Sequence, residues 1–307
     1  MIARLRDAFV RRSQAMARVR PTGAARPVRA AMQRRRARAP HATCGAVLAW
    51  LLASIAAPGA GAAPPITLET ATIALPGFDE TVDIHRPATT APIGTAIVAH
   101  GFGRSRHRHY DLGRALAEAG VIAIIPDLPN VMDLWANGGA VAELVARVES
   151  GAFGLPPMPR SRIVLMGTSA GGLATVLAAD RLPGLAGWIG LDPVDRTGTG
   201  ADAAARLAVP AIVLLADGSH CNLFGSGRTL ARAVPRLVRS TRIDGASHCD
   251  FESPTNNFCR VVCGTSAPDR ESRVRDETVA AALELLAGAR AEDREAPIAP
   301  GDGAGRD

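Results

Sequence analysis

The chain has 307 residues, a formal net charge of +6 and a calculated isoelectric point of about 9.8. Its basic excess is local, because residues 1–43 hold twelve arginines and a single acid, Asp7, and the rest has more acidic than basic side chains. This distribution argues against a nucleic-acid-binding domain and predicts no nucleic-acid partner. About 245 residues remain after the N-terminal segment, enough for one domain with a single large core.

The first 62 residues have the pattern of a secretory signal. The basic region is followed by the uncharged, apolar segment 44–57 and then by Ala60-Gly61-Ala62, a small-x-small cleavage site. The apolar segment is short for a membrane span. We therefore expect an exported protein, periplasmic or secreted, without a stable membrane span. An uncleaved N-terminal membrane anchor is the alternative.

Short apolar segments and helical periodicity alternate along the remaining chain. The predicted strands are two within 67–85, with a turn at Pro76-Gly77, and then 95–99, 121–125, 162–166, 187–191, 211–216 and 240–243. The predicted helices are 112–119, 141–148, 172–179, 229–234 and 270–289. Continuous apolar strands that alternate with helices indicate an α/β fold, with a mostly parallel central sheet and helices on both faces. In such sheets, functional residues gather at the carboxyl ends of the strands.

The segment 167–171 reads Gly-Thr-Ser-Ala-Gly and lies between a predicted strand and a predicted helix. This order of strand, G-x-S-x-G and helix is the nucleophile elbow of the α/β-hydrolases, which holds a serine on a sharp turn above the sheet edge. Small neighbours give room for the strained backbone of that turn. Ser169 is therefore the predicted nucleophile.

The predicted base is His248, which follows the last strand, where this fold places its histidine in chain order. Two carboxylates are candidates for the acid that orients it. Asp192 follows the strand 187–191 and Asp217 follows the strand 211–216, so either side chain could reach the imidazole. Asp195 is a weaker third candidate.

The sequence His100-Gly101-Phe102-Gly103 follows the strand 95–99. Its glycines allow close approach of the backbone, and we predict the Phe102 N–H and the Ala170 N–H as the two oxyanion donors. The His100 side chain is expected to brace the loop.

The next segment, Arg104–His109, is interpreted as the solvated start of a helix.

Four motifs resemble the chlorophyllase-like branch of the α/β-hydrolases and its dienelactone-hydrolase and cutinase-type polyesterase relatives. They are HGFG at 100–103, GTSAGG at 167–172, LDPVD at 191–195 and GASHCD at 245–250. In the chlorophyllase-like enzymes the aspartate of the D-P-V run is the catalytic acid, which implies Asp192. The cutinase-type relatives take their acid from the next strand, which implies Asp217. The intact D-P-V run favours Asp192. Dienelactone hydrolases use a cysteine nucleophile where this chain has Ser169.

Four cysteines follow the predicted signal: Cys221, Cys249, Cys259 and Cys263. An even number in an exported protein favours two disulfides, and of the three possible pairings we expect Cys221–Cys249 and Cys259–Cys263. Zinc is the alternative, but the Cys-x-x-x-Cys lacks a second ligand pair at normal spacing. No metal site is predicted.

These observations divide the chain into a basic region plus signal peptide (1–62), an α/β-hydrolase catalytic domain (63–290) and a disordered tail (291–307). The domain is expected to be a monomeric serine esterase that needs no cofactor and cleaves a small-molecule or polymeric ester through an acyl-enzyme. Apolar residues of the loop 127–139 are expected to form a wall over the site; they are Leu128, Val131, Met132, Leu134 and Trp135. A peptidase or amidase with the same triad is one alternative. A secreted binding module without catalysis is the other.

Overall fold

The computed structural model describes residues 65–75, 78–88, 91–130 and 132–295. The predicted signal (1–62), the turn at Pro76-Gly77 and positions 296–307 of the predicted tail lie outside the described residues. Within the described part of the chain, no helix has the length and apolar character needed to cross a membrane.

Eight strands form one sheet. They are β1 (Ile66–Leu75), β2 (Phe78–Pro87), β3 (Gly94–Ala99), β4 (Val121–Pro126), β5 (Ile163–Thr168), β6 (Gly187–Leu191), β7 (Ala211–Leu215) and β8 (Leu237–Arg242). Their order across the sheet is β1-β2-β4-β3-β5-β6-β7-β8. The pairs β1–β2 and β2–β4 are antiparallel and the other five are parallel, which confirms the mostly parallel sheet.

Helices cover both faces of this sheet, as predicted. They are α1 (Tyr110–Glu118), α2 (Leu134–Glu149), α3 (Ala170–Ala179), α4 (Thr199–Ala204), α5 (Gly227–Ala233), α6 (Asn257–Cys263) and α7 (Pro268–Glu295). One apolar cluster joins the sheet to α2, α3, α4 and α5, and a second joins its other face to α1 and α7. The parallel strands β3 to β6 are buried along their whole length, which explains their continuous apolar sequences.

Helix α2 begins earlier than its apolar periodicity predicts. The side chain of Asp133 accepts hydrogen bonds from the N–H groups of Trp135 and Ala136 and so caps the first turn. Residues 134–139, for which the sequence predicts a loop, are therefore helical. The carboxyl end of β4 connects to α2 through a shorter segment than predicted.

Helix α7 continues to Glu295, past the predicted domain boundary at residue 290. Its last turns are tied to the domain: Arg290 donates to the carbonyl of Ile93 at 2.7 Å, and Asp293 accepts from Ser161 at 3.0 Å. These contacts and a sequence rich in Ala, Glu and Arg explain why residues 291–295 are helical instead of part of a tail.

Candidate active site

Ser169 lies at the turn between β5 and α3 in a strained backbone conformation, with φ 57° and ψ −121°. The turn is tight, since a Cβ on Gly167 would lie 2.3 Å from the carbonyl oxygen of Gly171. A Cβ on Gly171 would in turn lie 2.4 Å from the carbonyl oxygen of Ala99. The glycines of the G-x-S-x-G motif are thus required by backbone packing around the serine.

Asp192 and His248 meet at the same edge of the sheet. Nδ1 of His248 lies 2.6 Å from Oδ2 of Asp192, and both side chains are almost fully removed from solvent. Asp192 directly follows β6 with a φ of 42°, and its N–H donates to the carbonyl of Leu214 in β7. The strands β5 and β6, which directly precede Ser169 and Asp192, are hydrogen-bonded neighbours, with Thr168 paired to Leu191.

The other two candidate acids have different contacts. The half-exposed carboxylate of Asp217 accepts from the Gly245 N–H at 3.2 Å and lies 3.7 Å from Arg242. Asp195 accepts backbone N–H groups around the start of α4 and so caps that helix. Of all carboxylates in the described residues, only that of Asp192 is hydrogen-bonded to His248.

His100 braces the loop that follows β3. Its Nε2 accepts a hydrogen bond from the Leu128 N–H at 2.9 Å, so the proton is on Nδ1, which donates to the carbonyl of Gly101 at 2.9 Å. Burial lowers the pKa of His100 and keeps the ring neutral, as the accepting Nε2 requires. The bond to Gly101 lies within this loop, and the bond from Leu128 joins the loop to the segment after β4.

The two predicted oxyanion donors border one cleft. Phe102 and Ala170 line it together with Leu128 and Leu134, which form part of the predicted apolar wall. Ala170 is the first residue of α3, so its N–H has no acceptor within the helix. Two further residues of that wall, Met132 and Trp135, are exposed, whereas Val131 lies outside the described residues.

The segment Arg104–His109 does lead into a helix, since a 3-10 helix at Arg106–His109 runs directly into α1, but its predicted solvation is wrong. Arg104 is bound to Glu252, Arg106 pairs with two acids, and His109 is fully buried, which lowers its pKa to about 3. The acidic partners are Asp83, Asp127 and Glu252. They come from segments distant in the sequence, so the local charge pattern does not reveal them.

Two disulfides are present, as expected, but their predicted connectivity is wrong. The bonds are Cys221–Cys263 and Cys249–Cys259, instead of Cys221–Cys249 and Cys259–Cys263. Cys259 and Cys263 lie one turn apart on α6, where Cβ atoms are about 5–6 Å apart and point the same way. A disulfide needs Cβ atoms about 3.5–4.5 Å apart.

The sulfurs of Cys249, Cys259 and Cys263 are mutually close, but as disulfides they offer no thiolate to a metal.

Two residues that contact this site belong to none of the motifs. The amide of Asn222 contacts the carboxylate of Asp192. Glu252 binds Arg104, which directly follows the loop at 100–103, called the Phe102 loop below. Neither has a local sequence signal, because each acts through a partner from another segment. Asn222 could have been noticed only as the neighbour of a disulfide cysteine.

Comparison with known proteins identifies the architecture. No protein-family model and no curated protein matches the sequence. Among solved structures, a dienelactone hydrolase from Anabaena variabilis is similar, with a TM-score of 0.58 and 14% sequence identity. The match covers 71% of this chain and 98% of that protein. Together with the sheet order and the elbow, this similarity establishes that the chain has the α/β-hydrolase fold.

Proposed function

We propose that this chain is an exported serine hydrolase that cleaves carboxylic esters with a triad of Ser169, His248 and Asp192. The observation that carries the proposal is the 2.6 Å contact between His248 Nδ1 and the buried carboxylate of Asp192, next to the strained elbow of Ser169. A nucleophile, a base and a carboxylate that orients the base are the groups that acyl transfer requires.

In this mechanism Nδ1 of His248 donates to Asp192, which leaves Nε2 to accept the proton of the Ser169 hydroxyl. Oγ of Ser169 bonds to the ester carbonyl carbon, and the imidazolium then protonates the leaving alkoxide, so that an alcohol departs. Water attacks the acyl-enzyme in the same way, which releases the acid and restores the serine. The N–H groups of Phe102 and Ala170 stabilise the negative oxygen in both steps.

The surroundings of the cleft favour esters with apolar groups beside the carbonyl. Leu128 and Leu134 line the cleft together with Phe102, whose side chain is 58% exposed. Apolar groups of a substrate gain about 25 cal/mol for each Å² that they bury against such side chains. Both a small ester and a chain of a polymeric ester satisfy this description.

Export is part of the proposal. Two disulfides fit a protein that folds in an oxidising compartment. The pattern of residues 1–62 provides the route, a signal that is removed after Ala62. N-terminal sequencing of the exported protein should therefore begin at or near residue 63.

The test uses a fluorophosphonate probe and a pair of matched substrates. The probe should label Ser169, identified by peptide mass spectrometry, and Ser169→Ala should abolish both labelling and ester hydrolysis while the fold is retained. Ser150→Ala, at an exposed serine, is the matched control and should keep full activity.

A p-nitrophenyl ester should be cleaved much faster than the corresponding anilide. Faster cleavage of the anilide would assign the triad to amide bonds, and near-normal turnover by Ser169→Ala would overturn the proposal.

A further inference from the structure

The loop that follows β7 places a fully buried amide against the carboxylate of Asp192. Nδ2 of Asn222 lies 3.0 Å from Oδ2 of Asp192, and Asn222 has no exposed surface. Oδ2 is also the oxygen that meets His248. Oδ2 is thus shared by the imidazole and this amide, while Oδ1 accepts from the Ala216 N–H at 3.1 Å and, at 3.4 Å, from the same Nδ2 of Asn222.

The orientation of the Asn222 amide is fixed by its other partners. Its Oδ1 accepts hydrogen bonds from the N–H groups of Ser219 and Gly225, at 2.8 and 3.0 Å. Its Nδ2 also donates to the carbonyl of Asp217 at 2.9 Å. A flipped amide would set its oxygen against a carbonyl and a carboxylate, so only one orientation satisfies the network.

The backbone around Asn222 is held in an uncommon conformation. Leu223, Phe224 and Gly225 all have positive φ, and the carbonyl of Asn222 accepts from the N–H groups of Gly225 and Ser226. The preceding residue, Cys221, is bonded to Cys263 of α6. Such strain persists only where the surroundings determine the conformation, and here the outcome is a rigid donor aimed at Asp192.

We propose that Asn222 is a positioning residue, whose amide fixes the carboxylate of Asp192 in the orientation in which Oδ2 meets Nδ1 of His248. The inference rests on the proposed triad. A buried carboxylate needs donors for its lone pairs, and a carboxylate that can rotate orients an imidazole poorly. Without Asn222, His248 would be the one side chain that holds Oδ2.

A double-mutant cycle tests this role. Asn222→Ala and Asp192→Asn are made singly and together, and each protein is assayed for kcat and KM and for the rate at which a fluorophosphonate labels Ser169. Asn222→Ala should lower kcat and the labelling rate roughly 10- to 100-fold, the loss that outer hydrogen-bond partners cost at metal sites, with little change in KM. In the Asp192→Asn background the same substitution should cost little more, because the group through which it acts is already impaired. Asn257→Ala, at an exposed asparagine, is the control.

The positioning role would be overturned if Asn222→Ala lowered kcat by the same factor in the wild-type and Asp192→Asn backgrounds. It would also be overturned if Asn222→Ala left kcat of the wild type unchanged. If Asn222→Ala does not fold, Asn222→Leu replaces it, because leucine has nearly the shape of asparagine and cannot donate to Asp192. The same non-additivity is expected and the same results overturn it. Failure of the wild-type protein to label at Ser169 would overturn the proposed function as well, whereas normal labelling without an effect of Asn222 would reject only the positioning role.

Discussion

The guanidinium of Arg104 donates two hydrogen bonds to the carboxylate of Glu252, at 2.5 and 2.6 Å, and so ties the Phe102 loop to the segment that follows His248. Both side chains are largely buried, with exposures of 11% and 7%. Arg104 also donates to Oδ1 of Asn256 at 2.9 Å. The pair therefore fixes the distance between the predicted oxyanion loop and the predicted base.

Glu252→Gln should lower the free energy of unfolding by about 3 kcal/mol, because it leaves the Arg104 guanidinium buried without a counter-charge. Urea denaturation followed by circular dichroism measures this loss. Glu143→Gln is the matched control, since Glu143 pairs with Arg147 on the exposed side of α2. That pair should contribute less than about 0.5 kcal/mol. Equal losses in the two variants would contradict the structural importance of the Arg104 pair.

Asp192→Asn should reduce kcat by about 10⁴-fold near neutral pH, because an amide at this position favours the wrong imidazole tautomer. The fold should be retained, since asparagine tolerates the positive φ of this residue. Asp217→Asn, at a half-exposed carboxylate without contact to His248, should change kcat only a few-fold. Steady-state kinetics on one p-nitrophenyl ester compares them. The reverse ranking would make Asp217 the catalytic acid.

Glu80 should make the stability of the protein depend on pH. Neither of its carboxylate oxygens has a hydrogen-bond partner among the described residues, and burial, with the nearby charge of Asp127, raises the pKa of Glu80 to about 8. Between pH 4.5 and about 8, the carboxyl of Glu80 therefore keeps its proton in the folded state but has lost it in the unfolded state. The free energy of unfolding should fall between these two values, by up to about 1.4 kcal/mol per pH unit, and level off above pH 8.

Glu80→Gln removes this dependence, so the variant should match the wild type near pH 5 and exceed its stability at pH 8.5. Urea titrations at pH 5, 7 and 8.5 provide the comparison. The same substitution at Glu69, which is exposed, should shift the stability by a similar amount at each pH. Parallel curves for wild type and Glu80→Gln would show that Glu80 is ionised in the folded protein throughout.

In the proposed exported form, non-reducing peptide mapping should find Cys221 joined to Cys263 and Cys249 joined to Cys259. In the chain-entropy model, the bond that spans 42 residues should stabilise the fold by about 4 kcal/mol and the one that spans 10 residues by about 3 kcal/mol. Thermal unfolding with and without reductant tests the combined effect. Four free thiols in exported material, or peptides that join Cys221 to Cys249, would contradict this connectivity.

The sequence predicts the framework well because the physical signals are local. Continuous apolar strands, the helical stripes and the G-x-S-x-G turn each occupy a few consecutive residues, and the sheet and the position of Ser169 follow from them. Chain order predicts His248, the D-P-V run favours Asp192 among the carboxylates at strand ends, and the structure brings these two side chains together.

The features that the sequence does not predict depend on distant partners or on short elements. Helices α4 and α6 are too short for a periodic pattern, and without α6 the pairing of Cys259 and Cys263 with other cysteines could not be foreseen. The charges of Arg104 and Arg106 look solvated until β2 and the segment after His248 bring acids to them. The apolar stripe does not indicate the start of α2, because the cap at Asp133 precedes that stripe.

The three residues of the proposed triad depend on different parts of the fold for their positions. Ser169 and Asp192 each follow directly on one of two paired strands, so any chain that completes the sheet has both of them in place. His248 instead lies beside a cross-linked cysteine, on a segment outside the strands. In the proposed triad, a chain with reduced cysteines would therefore hold Ser169 and Asp192 in place but His248 less firmly. Formation of the bond between Cys249 and Cys259 would then fix the segment that carries His248.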